Sequence, residues 1–195
     1  MNKIALSFGV LLIVIGGLVL TNSMRHETNT ASAVDYGKVP EFSLTERTGR
    51  TVTLQDLRGK VWIADFIFTS CAGTCPAMTA QMQKLQESLP RNIEFVSFSV
   101  DPLRDTPEVL ARYAKQFNAD PVRWMFLTGD RQKLYDLSIK GFKLALDDSQ
   151  GTETEPITHS SRFVLIDRDG RILGYYSGTD PDDLKRLSED SKKLL

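Results

Sequence analysis

Hydrophobic and polar positions divide the 195-residue chain into three regimes. Ile4 to Leu20 is an almost wholly apolar run without a charge, preceded by Lys3. Thr21 to Lys38 is polar, shows no hydrophobic period and reads as a tether. From Val39 the pattern is that of a globular domain. Phe42-Ser43-Leu44 alternates, Thr48-Gly49-Arg50 supplies a turn, and Thr51-Val52-Thr53-Leu54 alternates again, which predicts a β-hairpin. Val61 to Phe68 is mostly apolar, as in a central strand covered on both faces. After Pro76, which suits a first helical turn because its missing N–H is not needed there, Met78, Met82, Leu85 and Leu89 recur at helical spacing. Ile93 to Val100 predicts a second strand. Thr106-Pro107-Glu108 then opens a helix with Thr106 as N-cap and Val109, Leu110, Tyr113, Ala114 and Phe117 as its buried stripe.

The remaining pattern is a short strand at Trp124 to Leu127 and a helix from about Asp130 to Ile139. A strand at Phe163 to Ile166 turns at Asp167 to Gly170 and returns antiparallel through Ile172 to Tyr176, and a last helix runs from Pro181 to Lys192. Strand and helix alternate in the first half, and a hairpin and a helix close the second. The order βαβα…ββα with an added N-terminal hairpin predicts an α/β, thioredoxin-like domain. The expected organisation is a membrane segment at 1–24, a tether at 25–38 and the domain at 39–195.

A seventeen-residue helix is about 25 Å long, near the lower limit for crossing a hydrocarbon core of about 30 Å. Ala31-Ser32-Ala33 resembles a cleavage site, but it stands eleven residues beyond Leu20, too far for a standard signal peptide. No Cys follows the apolar run closely enough for a lipid anchor. The expectation is a single uncleaved helix in the cell membrane, with Lys3 inside and the domain on the extracytoplasmic side. A disulfide can persist there. Composition adds one exclusion: a formal net charge of −1 with 25% charged residues gives no electrostatic case for nucleic acid.

The candidate chemistry is Thr69-Ser70-Cys71-Ala72-Gly73-Thr74-Cys75-Pro76, which holds both cysteines of the chain. It lies at the C-terminal end of the first central strand, where functional groups gather in open α/β sheets. Cys75 at a helix N-terminus is expected to be stabilised as thiolate, which is both the nucleophile of disulfide exchange and a soft-metal ligand. The three-residue spacer suits a metal clamp better than a two-residue one. A purely structural disulfide closing so short a loop contributes only about 2 kcal/mol, less than longer loops do. A metal site needs a third ligand, and the chain has two histidines. His26 falls in the tether and reads as a solvated linker residue, while His159 directly precedes a core strand. On residue pattern alone His159 is either a loop or core histidine or the third member of a Cys₂His set suited to copper or zinc.

Four ordered blocks carry a resemblance. They are Phe66 to Pro76, Phe98 to Glu108 (Phe-Ser-Val-Asp-Pro-Leu-Arg-Asp-Thr-Pro-Glu), Phe126-Leu127-Thr128-Gly129, and Thr158 to Asp167 (Thr-His-Ser-Ser-Arg-Phe-Val-Leu-Ile-Asp). With these the chain from about Phe42 to Leu187 resembles the Sco/SenC family of copper-binding assembly factors. The resemblance implies a copper ion, Cu(I) or Cu(II), ligated by Cys71, Cys75 and His159. It also implies a part in building the dinuclear copper site of cytochrome c oxidase. The implied partners are the oxidase subunit carrying that site and a copper donor or thiol reductant. Many family members have Pro after the first cysteine; Ala72-Gly73 leaves this loop less restrained in φ.

Two functions compete at this stage: a copper metallochaperone without turnover, and a thiol–disulfide oxidoreductase that reduces the oxidase cysteines without storing metal. For the second, Cys71 and Cys75 are the catalytic pair. A peroxiredoxin-type peroxidase is disfavoured, since neither cysteine follows the Pro-x-x-x-Thr/Ser-x-x pattern of that family. Met78, Met82, Trp62 and Trp124 read as core, and Asp101, Arg104 and Asp105 as surface ion pairing and helix initiation.

Overall fold

The computed structural model describes residues 35–147 and 158–195, the side chains of Asp147, Thr158 and His159 excepted. In chain order the elements are β1 (Ser43–Glu46), β2 (Thr51–Thr53), a 3-10 turn (Leu54–Leu57), β3 (Val61–Ile67), α1 (Thr74–Ser88) and β4 (Ile93–Ser99). They continue with α2 (Pro107–Gln116), β5 (Trp124–Thr128), α3 (Arg131–Asp136) passing into a π turn (Leu137–Gly141), β6 (Leu146–Asp147), β7 (Thr158–His159), β8 (Arg162–Ile166), β9 (Ile172–Ser177) and α4 (Pro181–Lys193). The predicted anchor, Ile4–Leu20, and the tether with His26 lie outside the described residues. Among those described, no helix is long and apolar enough to cross a membrane.

Seven strands form one mixed sheet in the order β2-β1-β5-β4-β3-β8-β9. The central β3, β4 and β5 run parallel, linked by crossover helices, and the hairpins β1–β2 and β8–β9 add to the two sides antiparallel. This is the predicted mixed α/β arrangement. The predicted N-cap is present, Thr106 Oγ1 accepting from the Val109 N–H, and Asp130, expected as the start of a helix, caps α3 by accepting from the Lys133 N–H. The predicted Asp130–Ile139 helix is six residues of α-helix finished by the π turn, where Gly141 lies against the ring of Pro40 so closely that a Cβ would fall 2.8 Å from Pro40 Cδ. β6 and β7 pair as a separate two-stranded hairpin. At two residues each they are too short to leave a period-2 signal in the sequence.

β3 is buried along its whole length. Trp62 and Phe66 share one face, as alternate residues of a strand do. They meet Phe98 and Phe142, with ring centroids 5.1 Å apart for Phe66–Phe98 and 5.2 Å for Phe66–Phe142. Trp62, Trp124, Met78 and Met82 are all core, as predicted. The junction from α1 to β4 is held by Arg123. Its guanidinium donates to the carbonyls of Gln86, Ile93 and Pro90 at 3.1–3.2 Å and of Leu89 at 3.5 Å, and it stacks over Phe95. It thereby covers carbonyls at the end of α1 and complements the negative end of that helix. Arg123→Ala removes these buried donors, while the Pro90 carbonyl keeps a further partner, the Ile93 N–H at 3.1 Å. It is expected to cost about 3 kcal/mol in urea unfolding, and a loss under 0.5 kcal/mol would remove this role.

On the other face of β3 sits Asp65, fully buried, beside its register partner Ser97 in β4. Neither carboxyl oxygen makes a hydrogen bond of normal geometry. Burial pushes the group up to about 7, with the Ser97 hydroxyl pulling weakly the other way. The folded protein therefore keeps this proton over a pH range in which the unfolded chain, at 3.8, has released it. At this group the folded state binds more proton than the unfolded one across that interval, so the contribution of Asp65 to stability falls as pH rises from about 4 to about 7. Asp65→Asn removes the titration and is expected to gain up to about 4 kcal/mol over wild type at pH 8 compared with pH 4. Equal pH profiles in urea unfolding would contradict the assignment.

Candidate functional site

β3 ends at Ile67 in the centre of the sheet, and its chain must turn at once to reach α1. Phe68 is still buried, and the Cys71 N–H donates to its carbonyl at 3.3 Å, closing a turn through Thr69 and Ser70. Ala72, Gly73 and Thr74 are exposed, whereas Cys71 and Cys75 on either side are buried at 7% and 0% exposure. Both thiols thus turn inward beneath a small exposed arch. Gly73 is the N-cap of α1, so Cys75 falls in its first turn and Pro76 just after it, as predicted. The cysteines are reduced thiols, not joined in a disulfide.

The expectation that the helix terminus stabilises a Cys75 thiolate does not hold in this structure. Burial pushes the Cys75 thiol well above the ordinary thiol range. A backbone hydrogen bond from Phe68 opposes that shift, and the neighbouring Cys71 and Asp65 add to it. The physical reason is one of magnitude. A helix terminus contributes about 0.3–1 kcal/mol within its first turn, and complete removal of a thiolate from water costs more than that. Beneath the thiols, the Thr79 hydroxyl donates to the Cys75 carbonyl at 2.9 Å and lies 2.8 Å from the Tyr113 hydroxyl. This ties α1 to α2 directly under the pair. Asp65 and Tyr113 were not singled out by sequence reasoning. The signal for Asp65 was an acid inside a buried strand pattern; Tyr113 gave none beyond its place on the apolar stripe of α2.

His159 lies in β7, with its backbone opposite Leu146 and its side chain outside the described residues. Its segment approaches the thiols by two routes. β8 runs antiparallel to β3, with Ala64 opposite Val164, so the start of β8 lies at the end where β3 stops. Two residues after His159, the Ser161 carbonyl accepts from the Gly178 N–H at 2.8 Å. Gly178 in turn is seated against Met78 of α1, where a Cβ would fall 3.0 Å from Met78 Cγ. Among the described residues no three His, Cys, Asp or Glu side chains cluster as a metal site. The ligands described are the two thiols, a soft donor pair suited to Cu(I) or Zn²⁺.

Asp101, Arg104 and Asp105 fall in the loop after β4, next to the cysteine loop. Asp101 and Arg104 form the predicted ion pair, 2.8 Å long with Arg104 mostly in solvent, but Asp101 departs from the surface reading, since it is buried. Asp105 departs from the surface reading: it is fully buried and bonds to Thr69 in the cysteine loop.

The comparisons with known proteins agree with this architecture. The family model described as SCO1/SenC matches residues 30–195. The SCO1 protein homolog of Bacillus subtilis (strain 168) is 35% identical over 159 residues, covering 80% of this chain and 81% of its own. The structure of BsSco, a member of the Sco family of cytochrome c oxidase assembly proteins in which a disulfide switch was identified, superposes with a TM-score of 0.72 at 34% identity, over 84% of this chain and 95% of that one. ScoI of Arabidopsis thaliana, solved with copper bound, superposes with a TM-score of 0.67 at 26% identity, over 81% and 98%. A thioredoxin-like mixed sheet, an inward-turned Cys-x-x-x-Cys at the end of its central strand and a family match over most of the sequence lead to one conclusion: this chain belongs to the SCO1/SenC family.

Proposed function

We propose that this protein is an extracytoplasmic copper-binding assembly factor. It holds one copper ion as cargo between Cys71, Cys75 and His159 and passes it to the cytochrome c oxidase subunit that carries the dinuclear copper site. The observation that carries the reading is the burial of both thiols at the end of β3 together with the link Ser161–Gly178–Met78. That link brings the His159 segment onto the helix that starts at the cysteines. The relatives' cargo supports it, since Arabidopsis ScoI is solved with copper bound. The apolar run Ile4–Leu20 supplies the membrane anchor, with the domain outside the cytoplasm.

The electrostatics favour metal storage over turnover. A thiol-exchange catalyst needs a thiolate at ambient pH, and burial holds the Cys75 proton in place. A copper ion displaces that proton as it binds, because a coordinating thiol is deprotonated by the metal itself. The same burial excludes water and competing oxygen ligands, which suits a soft ion held by sulfur and imidazole. Reduction of oxidase thiols without stored metal remains the second reading, supported by the disulfide switch identified in BsSco.

The reduced domain is expected to bind one copper per chain, and His159→Ala to lower its affinity on the order of 100-fold in competition with a Cu(I) chelator. Unchanged affinity in the variant would sink the three-ligand site. In a strain lacking the gene, oxidase activity is expected to recover when copper is added to the medium. Recovery with a membrane-impermeant reductant but not with copper would favour the thiol reading instead.

A further inference from the structure

A buried carboxylate ties the cysteine loop to the loop after β4. Asp105 is fully buried in the loop between β4 and α2. Its Oδ1 accepts from the Thr69 hydroxyl at 2.5 Å, and its two oxygens share the Thr69 backbone N–H at 3.2 and 3.3 Å. Its Oδ2 also accepts from the Ser99 hydroxyl at 2.7 Å. Ser99 Oγ in turn accepts from the Asp101 N–H at 3.1 Å. The carboxylate thus joins the end of β4, the loop that caps α2 and the residue two positions before Cys71.

Such a contact does not serve the sheet. β3 and β4 are already paired through Ile67 and Ser99, and α2 has its own N-cap in Thr106. Nor is it a surface ion pair, because Arg104 in the same loop is bonded to Asp101 instead. What the contact fixes is the start of the arch. Ala72 and Gly73 put little restraint on the backbone between the cysteines, and Cys75 is held by α1. The turn Phe68–Cys71, the hydrogen bond from the Phe68 backbone to the Cys75 thiol and the contact that holds Thr69 together set the position of Cys71 relative to Cys75. Burial pushes the Asp105 carboxyl up, and the Thr69 and Ser99 hydrogen bonds oppose that shift. The donors thus favour the ionised acceptor, which can take all of them at once.

We propose that Asp105 is a positioning residue: its carboxylate latches Thr69 and so holds Cys71 at the separation from Cys75 that a shared ligand requires. In its copper form the inference rests on the function proposed above. Its effect on the thiol pair itself does not, because the separation of the sulfurs sets how readily they close to a disulfide.

The test uses Asp105→Asn, Thr69→Val, Thr69→Ser and the Asp105→Asn/Thr69→Val pair in the full chain. Asn keeps the shape but replaces an accepting oxygen with a donor, and Val removes the Thr69 hydroxyl while leaving Asp105–Ser99 intact. Two readouts are taken: Cu(I) retention against a chelator, and the thiol–disulfide equilibrium constant of Cys71–Cys75 in a glutathione buffer. About tenfold weaker copper retention and at least a threefold shift in the equilibrium constant are expected for Asp105→Asn and Thr69→Val. Thr69→Ser should behave as wild type, and the double variant no worse than the stronger single one. Should Asp105→Asn not fold, Thr69→Val against Thr69→Ser decides alone. Variants with lowered Tm but wild-type copper retention and an unmoved equilibrium constant overturn the latch. If wild-type protein takes up no copper, the copper reading fails by itself, and the equilibrium constant still decides for or against the latch.

Discussion

Burial of β3 on both faces is the constraint on which the rest of this structure depends. A strand with no solvent face is completed by its neighbours: β4 and β8 along its edges, the Trp62–Phe66–Phe98–Phe142 cluster on one side and the helices of the crossover connections on the other. Most of the polar groups where it leaves the sheet are satisfied within the protein. The Cys71 N–H closes a turn on Phe68, Thr69 bonds to Asp105, and both sulfurs turn beneath the exposed arch Ala72–Thr74. The site is thus what the central strand becomes where it leaves the sheet.

This setting changes what the thiols can do. A helix N-terminus and a low-dielectric interior act on Cys75 in opposite directions, and the interior wins. The balance produces a thiol that keeps its proton until something with higher affinity for sulfur removes it. Soft metal ions meet that condition, whereas exchange with a passing disulfide depends on a standing thiolate. Within the SCO1/SenC family one relative was solved with copper bound and a disulfide switch was identified in another.

His159 belongs to a different mechanical unit from the cysteines. The thiols stand on the central strand and its helix, while β7 pairs with β6 outside the main sheet. The two units are joined through Ser161, Gly178 and Met78.

Much of the fold was legible in the chain, because periodicity records which face of an element is buried. The apolar run of β3, the helical stripes of α1 and α2, the cap Thr106 and the closing β8–β9 hairpin with α4 all follow from local pattern, and so does the placing of Cys71 and Cys75 between strand and helix. The short β6–β7 pair did not, since two residues carry no period, and neither did the π turn that ends α3. The protonation of Cys75, the raised carboxyl of Asp65 and the Thr69–Asp105 contact were also invisible. Each depends on how much water is excluded or on which residues meet across 36 positions of chain. The sequence by itself determined most of the elements, the place of the two cysteines and the family. Tertiary structure alone decided that both thiols are buried, that burial raises the Cys75 thiol, and that a carboxylate from the next loop bonds to Thr69, because desolvation and long-range hydrogen bonding exist only once the chain has closed on itself.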